Sequence, residues 1–98
     1  MGVRLEKPWL TLDPELVARL PGQLGVFQLA NEKHEVVYIG FAGGRSLFGL
    51  KGELASWLGR WPFFRLEVNM AYRTRCRELL MVHFSDHGTY PTENTAQE

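Results

Sequence analysis

The chain has 98 residues, 45% of them hydrophobic, with 11 basic and 11 acidic side chains; that suffices for one compact domain and is too short for two. Its lone cysteine, Cys76, excludes an intramolecular disulfide and a cysteine-built zinc site. No stretch approaches the roughly 20 apolar residues of a membrane span, and Arg4, Glu6 and Lys7 interrupt the N-terminus where a signal peptide would be apolar, so a cytoplasmic chain that does not enter a membrane is expected.

Asp13-Pro14-Glu15 reads as a helix start: a capping carboxylate, a proline at the first helical position and an acid in the first turn. Leu16, Val17 and Leu20 give this helix an apolar face, and Pro21-Gly22 stops it. Gly25 to Ala30 predicts a strand, Asn31 to His34 a polar turn, and Glu35 to Ile39 a second strand rich in β-branched and aromatic residues. Strands this close pair as an antiparallel hairpin. The glycines of Gly40-Phe41-Ala42-Gly43-Gly44-Arg45 predict a flexible loop. Leu47, Leu50, Leu54 and Leu58 repeat at helical spacing and place a helix from Ser46 or Phe48 to Leu58. Phe64, Leu66 and Val68 alternate with Arg65 and Glu67, which predicts a third strand over 63–69. A last helix runs from Ala71 to about Phe84, with Tyr72, Cys76, Leu79, Leu80 and His83 on one face and His87-Gly88 at its end.

The order α-β-β-α-β-α predicts an α/β (α+β) fold, a small three-stranded antiparallel sheet flanked by helices. Residues 13–90 form the single domain, 1–12 an N-terminal extension and 91–98 a polar, fraying tail. A fourth strand would have to come from Arg4–Leu12, where Pro8 argues against a central position.

Charge is unevenly spread. Residues 1–43 hold four basic and five acidic side chains, residues 44–77 seven basic and two acidic, and residues 78–98 four acidic and no Lys or Arg. The middle third therefore carries a surplus of five positive charges, a sign suited to phosphate. A mixed surface whose charges cancel in space accounts for the same numbers.

Three short stretches add chemistry. The first strand opens with Gly25-Val26-Phe27 and the second ends with Tyr38-Ile39-Gly40; a glycine-rich loop and a basic helix follow, then Glu78 in the last helix and Pro91-Thr92-Glu93-Asn94 beyond it. This ordered series, from Gly25 to Asn94, resembles the GIY-YIG nuclease-like superfamily, whose two name-giving tripeptides lie on the first two strands of a small sheet. The resemblance implies a metal-dependent endonuclease that cleaves DNA phosphodiesters, branched or flap DNA among them. It implies Glu78 as the ligand of Mg2+ or Mn2+, a hard cation that takes oxygen donors and lowers the pKa of a bound water. It implies Tyr38 as a base or phosphate contact, which needs a nearby cation because a phenol titrates near 10. The family arginine matches either Arg45, in the loop, or Lys51, inside the helix; lysine keeps the charge but loses the bidentate fork. Phe27 stands where the family has tyrosine, so one active-site hydroxyl is missing.

Arg73 and Arg77, four residues apart, and Arg65 on the polar face of the third strand are candidate nucleic-acid contacts. A solvated helix face explains the first two equally simply. His83 is expected as a packed core histidine, His34 as an exposed turn residue, His87 as a cation near a helix end, and Cys76 as a buried small hydrophobe. Trp57 and Trp61 suit stacking on unpaired bases or core packing. Three readings follow: a metal-dependent endonuclease using Glu78, Tyr38 and Lys51 or Arg45; a catalytically inactive nucleic-acid-binding module; and a protein-interaction domain keeping only the fold. A single domain with no targeting module implies a protein partner or a homo-oligomer for site selection.

Overall fold

The computed structural model describes residues 4–94. Its elements are β1 (Leu10–Thr11), α1 (Pro14–Ala18), β2 (Gly25–Ala30), β3 (Val36–Ala42), α2 (Gly49–Ala55), β4 (Phe63–Val68) and α3 (Tyr72–His87). The expected α+β class and the order of the larger elements hold. The sheet, however, has four strands in the order β1-β4-β2-β3, all antiparallel, where three were expected. The addition is β1, which pairs Leu10 with Phe64 and Thr11 with Phe63 at the edge of β4. Pro8 keeps this segment from a central position but not from a two-residue edge strand. The same segment buries Leu5 and Leu12, so residues 4–12 belong to the packed domain.

Asp13 caps α1 as expected, its carboxylate accepting from the Leu16 N–H at 2.9 Å. The hairpin turn is held by Asn31, whose side-chain oxygen accepts from the N–H groups of Lys33 and Glu35. Such local bonds are why Asn favours turns.

β2 sits at the centre, and all six of its residues are buried. A strand covered on both faces loses the alternating pattern. Phe27 and Leu29 pack with Leu50, Leu54 and Phe64 under α1 and α2, while Val26 packs with Leu5, Ile39, Cys76 and Leu79 under α3.

β3 runs on to Ala42, so Gly40-Phe41-Ala42 is strand rather than loop. The cause is register: Phe27 pairs with Gly40, Val26 with Phe41 and Gly25 with Ala42. Both triplet glycines sit at close approaches, Gly25 against backbone and Gly40 against side chains. A Cβ on Gly25 would lie 2.1 Å from the Glu67 carbonyl oxygen, and one on Gly40 would lie 2.5 Å from Tyr38 Cε2.

α2 is shorter than expected, opening at Gly49 after Phe48 in the left-handed region and closing before Trp57. Residues 91–94 pack against the domain. Pro91 and Asn94 are buried, and the Asn94 side chain accepts from the Ile39 N–H at 2.8 Å and donates to the Ile39 carbonyl at 2.9 Å. Asn94 thereby mimics a neighbouring strand on the open edge of β3, which would otherwise present unpaired backbone groups. Residues 95–98 of the expected tail, and residues 1–3, lie outside the described residues. No described helix is long and apolar enough to cross a membrane.

Candidate functional site

The outer edge of β3 borders a groove made of two adjoining recesses. One part, about 350 Å³, is lined by Tyr38, Ser46, Glu53 and residues 39–41. The other, about 490 Å³, is lined by Arg73, Arg77, Met81 and Tyr90. Phe41, Cys76, Leu80 and Asn94 line both. The groove thus runs between α3 and the start of α2, with a basic, aromatic outer end and a hydroxyl-and-carboxylate inner end.

At the outer end Phe41 is exposed because it lies on an edge strand, and it stacks on Tyr72 with ring centroids 5.4 Å apart. The Arg73 guanidinium sits 5.5 Å from the Phe41 centroid. The Tyr72 hydroxyl accepts from the Gly44 N–H at 3.1 Å and so ties the loop after β3 to α3. Arg73 and Arg77 are both exposed and share this wall, as i,i+4 spacing dictates.

At the inner end the Tyr38 ring lies across Gly40, with centroids 5.7 Å from Phe27 and 4.6 Å from Trp57. The Tyr-Ile-Gly triplet therefore has a packing logic: the glycine leaves the gap that the tyrosine fills. Ser46 Oγ accepts from the Gly43 N–H at 3.0 Å and donates to Glu53 Oε2 at 2.8 Å. Glu53 was not legible as a site residue, since nothing in its local sequence separates it from a solvated helix glutamate. Its signal is positional, seven residues beyond Ser46.

The other expected residues fall elsewhere. Glu78 turns away from the groove and pairs with Arg75, Nη1 to Oε1 at 2.5 Å. Arg75, buried to 7% exposure, also binds Glu67 at 2.9 Å. Hydrogen bonds to Glu67 hold the Arg75 guanidinium above its ordinary value against the opposing effect of burial. Burial pushes the Glu67 carboxyl up, but the bonds from Arg75 and Asn69 more than reverse this, so it sits below the usual range.

Lys51 lines a separate apolar recess with Val17, Ala18 and Leu58, between α1 and α2. Two residues apart on a helix, Lys51 and Glu53 point about 200° apart, so Lys51 does not join Tyr38. Arg45 is exposed in the loop beside Ser46. Arg65 donates to Gln28 Oε1 at 2.7 Å and to the Lys7 carbonyl at 3.1 Å, and it covers the Trp9 ring at 4.0 Å. It clamps the N-terminal segment to the sheet, away from the groove, and burial lowers its pKa. Trp57 packs between Tyr38 and Arg60, whose guanidinium lies 4.4 Å from its ring. Trp61 packs against the first core cluster. Cys76 is buried as expected. His83 is half-buried at the rim rather than in the core.

The fold and site define a class: a small α+β domain with an arginine-flanked aromatic groove along a sheet edge. The chain belongs to a family described as a domain of unknown function, DUF7508, whose model matches residues 3–86 and so includes Tyr38, Glu53, Arg73 and Arg77. No curated protein and no solved structure matches the chain.

Proposed function

We propose that this domain binds nucleic acid through the β3-edge groove, with Arg73 and Arg77 on phosphates and Phe41 and Tyr90 against bases. One observation carries the reading: two exposed arginines and two exposed aromatic rings line the same groove. Guanidinium groups neutralise phosphate, and aromatic faces accept any base, which suits unpaired strands. The formal charge of zero implies modest affinity that depends on the local patch.

The GIY-YIG resemblance supports nucleic acid as the ligand class. It does not by itself supply hydrolysis. Mg2+ or Mn2+ at Glu78 would share that carboxylate with the Arg75 guanidinium, a positive charge already in hydrogen-bond contact. The residues around Glu78 therefore do not fit a hard divalent cation.

A hydrolytic reading retains one observation in its favour, the hydrogen-bonded Ser46–Glu53 pair that lines the inner end of the groove together with Tyr38. The two readings separate in one experiment. Labelled single-stranded, flap and duplex DNA is incubated with the protein, with and without Mg2+ or Mn2+. Binding without cleavage, unchanged in Glu78→Ala, supports the binding module. Metal-dependent cleavage lost in Glu53→Gln supports the hydrolase, and cleavage lost in Glu78→Ala restores the site that the resemblance implies. Absence of binding at low salt removes the nucleic-acid reading.

A further inference from the structure

The C-terminal turn of α3 carries His83 and His87, one helical turn apart. Their ring centroids are 4.4 Å apart with planes tilted by 37°. His83 Nδ1 lies 3.0 Å from the Thr89 carbonyl oxygen. A carbonyl only accepts, so Nδ1 carries the proton, and in the neutral ring Nε2 keeps its lone pair. Metal-bound histidines are typically held in this way, the other ring nitrogen donating to a carbonyl or carboxylate.

We propose that His83 and His87 chelate a borderline divalent transition metal, Zn2+ above all, in the groove between the end of α3 and the hairpin turn. Zinc–imidazole bonds of about 2.0–2.1 Å in tetrahedral geometry place two ring nitrogens about 3.3 Å apart, a separation within reach of rings already in contact. Imidazole nitrogen selects Zn2+, Ni2+ or Cu2+ over Mg2+ and Ca2+. His34 and Glu35 line the opposite wall of this 420 Å³ groove. No group of three His, Cys, Asp or Glu side chains suited to a metal exists among the described residues. The pair is therefore an open site, its remaining positions filled by water or by a donor from whatever the metal bridges to. Asp86, between the two histidines in sequence, is held by Arg4 at 2.7 Å and is not a ligand. The inference is independent of the nucleic-acid reading, since these residues lie outside the β3-edge groove.

The test uses the full chain without an affinity tag. Zn2+ is titrated by calorimetry while imidazole nitrogen resonances are followed by NMR. Expected is saturable binding of one equivalent, with His83 and His87 resonances shifting and His34 unmoved. His87→Ala, an exposed change that leaves the core untouched, should weaken binding at least about tenfold, and His34→Ala should not. Far-UV circular dichroism confirms that each variant is folded. Binding of equal strength in His87→Ala, or no binding by the native protein at millimolar Zn2+, would overturn the proposal.

Discussion

Two hydrogen bonds join the Arg75 guanidinium to the Glu67 carboxylate, Nε to Oε2 at 2.9 Å and Nη2 to Oε1 at 3.1 Å, and they fasten α3 to β4. A third bond from Arg75 reaches Glu78, and a fourth reaches the Arg4 carbonyl. A charged side chain with an exposure of only 7% is tolerated because its donors are occupied.

Removing the cation should therefore destabilise more than an exposed pair would suggest. Arg75→Met leaves Glu67 partly buried with Asn69 as a remaining donor at 2.9 Å. The expected loss is about 2–3 kcal/mol, between the values for exposed and buried pairs, read from urea denaturation. Adding Glu67→Leu should recover part of it, since the buried carboxylate no longer lacks a partner. An additive further loss in the double variant would show that the pair is not coupled.

Stability should fall with acidification in two windows. The Glu67 carboxyl is depressed in the folded state. Its contribution is complete above the unfolded value near 4.3 and is lost as pH falls through the lower folded value. His83 is also depressed, first by burial, so its contribution is complete above about 6.5 and declines as pH falls below that. Denaturation midpoints across pH 3–8 check this. Glu67→Gln should flatten the lower window and His83→Gln the upper.

The two triplet glycines should respond differently to a methyl group. In Gly40→Ala the new Cβ meets the Tyr38 ring at 2.5 Å, a side chain that moves at a cost of about 1–3 kcal/mol. In Gly25→Ala it meets the Glu67 carbonyl oxygen at 2.1 Å and Val68 Cα at 2.9 Å, and backbone cannot swing aside. Thermal denaturation should rank Gly25→Ala as the more damaging. Only Gly40→Ala should alter the near-ultraviolet signal of the Tyr38–Trp57 contact while leaving the sheet intact.

Local patterns made most elements legible, and their failures have identifiable causes. The strands over Gly25–Ala30 and Phe63–Val68 announced themselves through composition and alternation. β1 did not, because two residues carry no period and its pairing with Phe63 and Phe64 is a tertiary event. The glycine run after Tyr38 resembled a loop because close approach and turn formation both select glycine. Arg75 escaped the wheel of α3 since a charged residue on the buried face contradicts the pattern being sought; its partners, Glu67 and the Arg4 carbonyl, are distant in sequence. For the same reason the pairing of Glu78 with Arg75 and the place of Glu53 beside Ser46 are not legible in the sequence. Arg73 and Arg77 were placed on one face correctly, because helical spacing alone decides that.

The most direct measurement of the central claim is the salt dependence of binding to a labelled single strand, native protein against Arg73→Ala/Arg77→Ala, by fluorescence anisotropy. Both side chains are exposed, so the variant should fold. Two lost phosphate contacts predict weaker binding and a log–log salt slope shallower by about 1.4. An unchanged slope and affinity in the variant would contradict the assignment of the β3-edge groove as the nucleic-acid site.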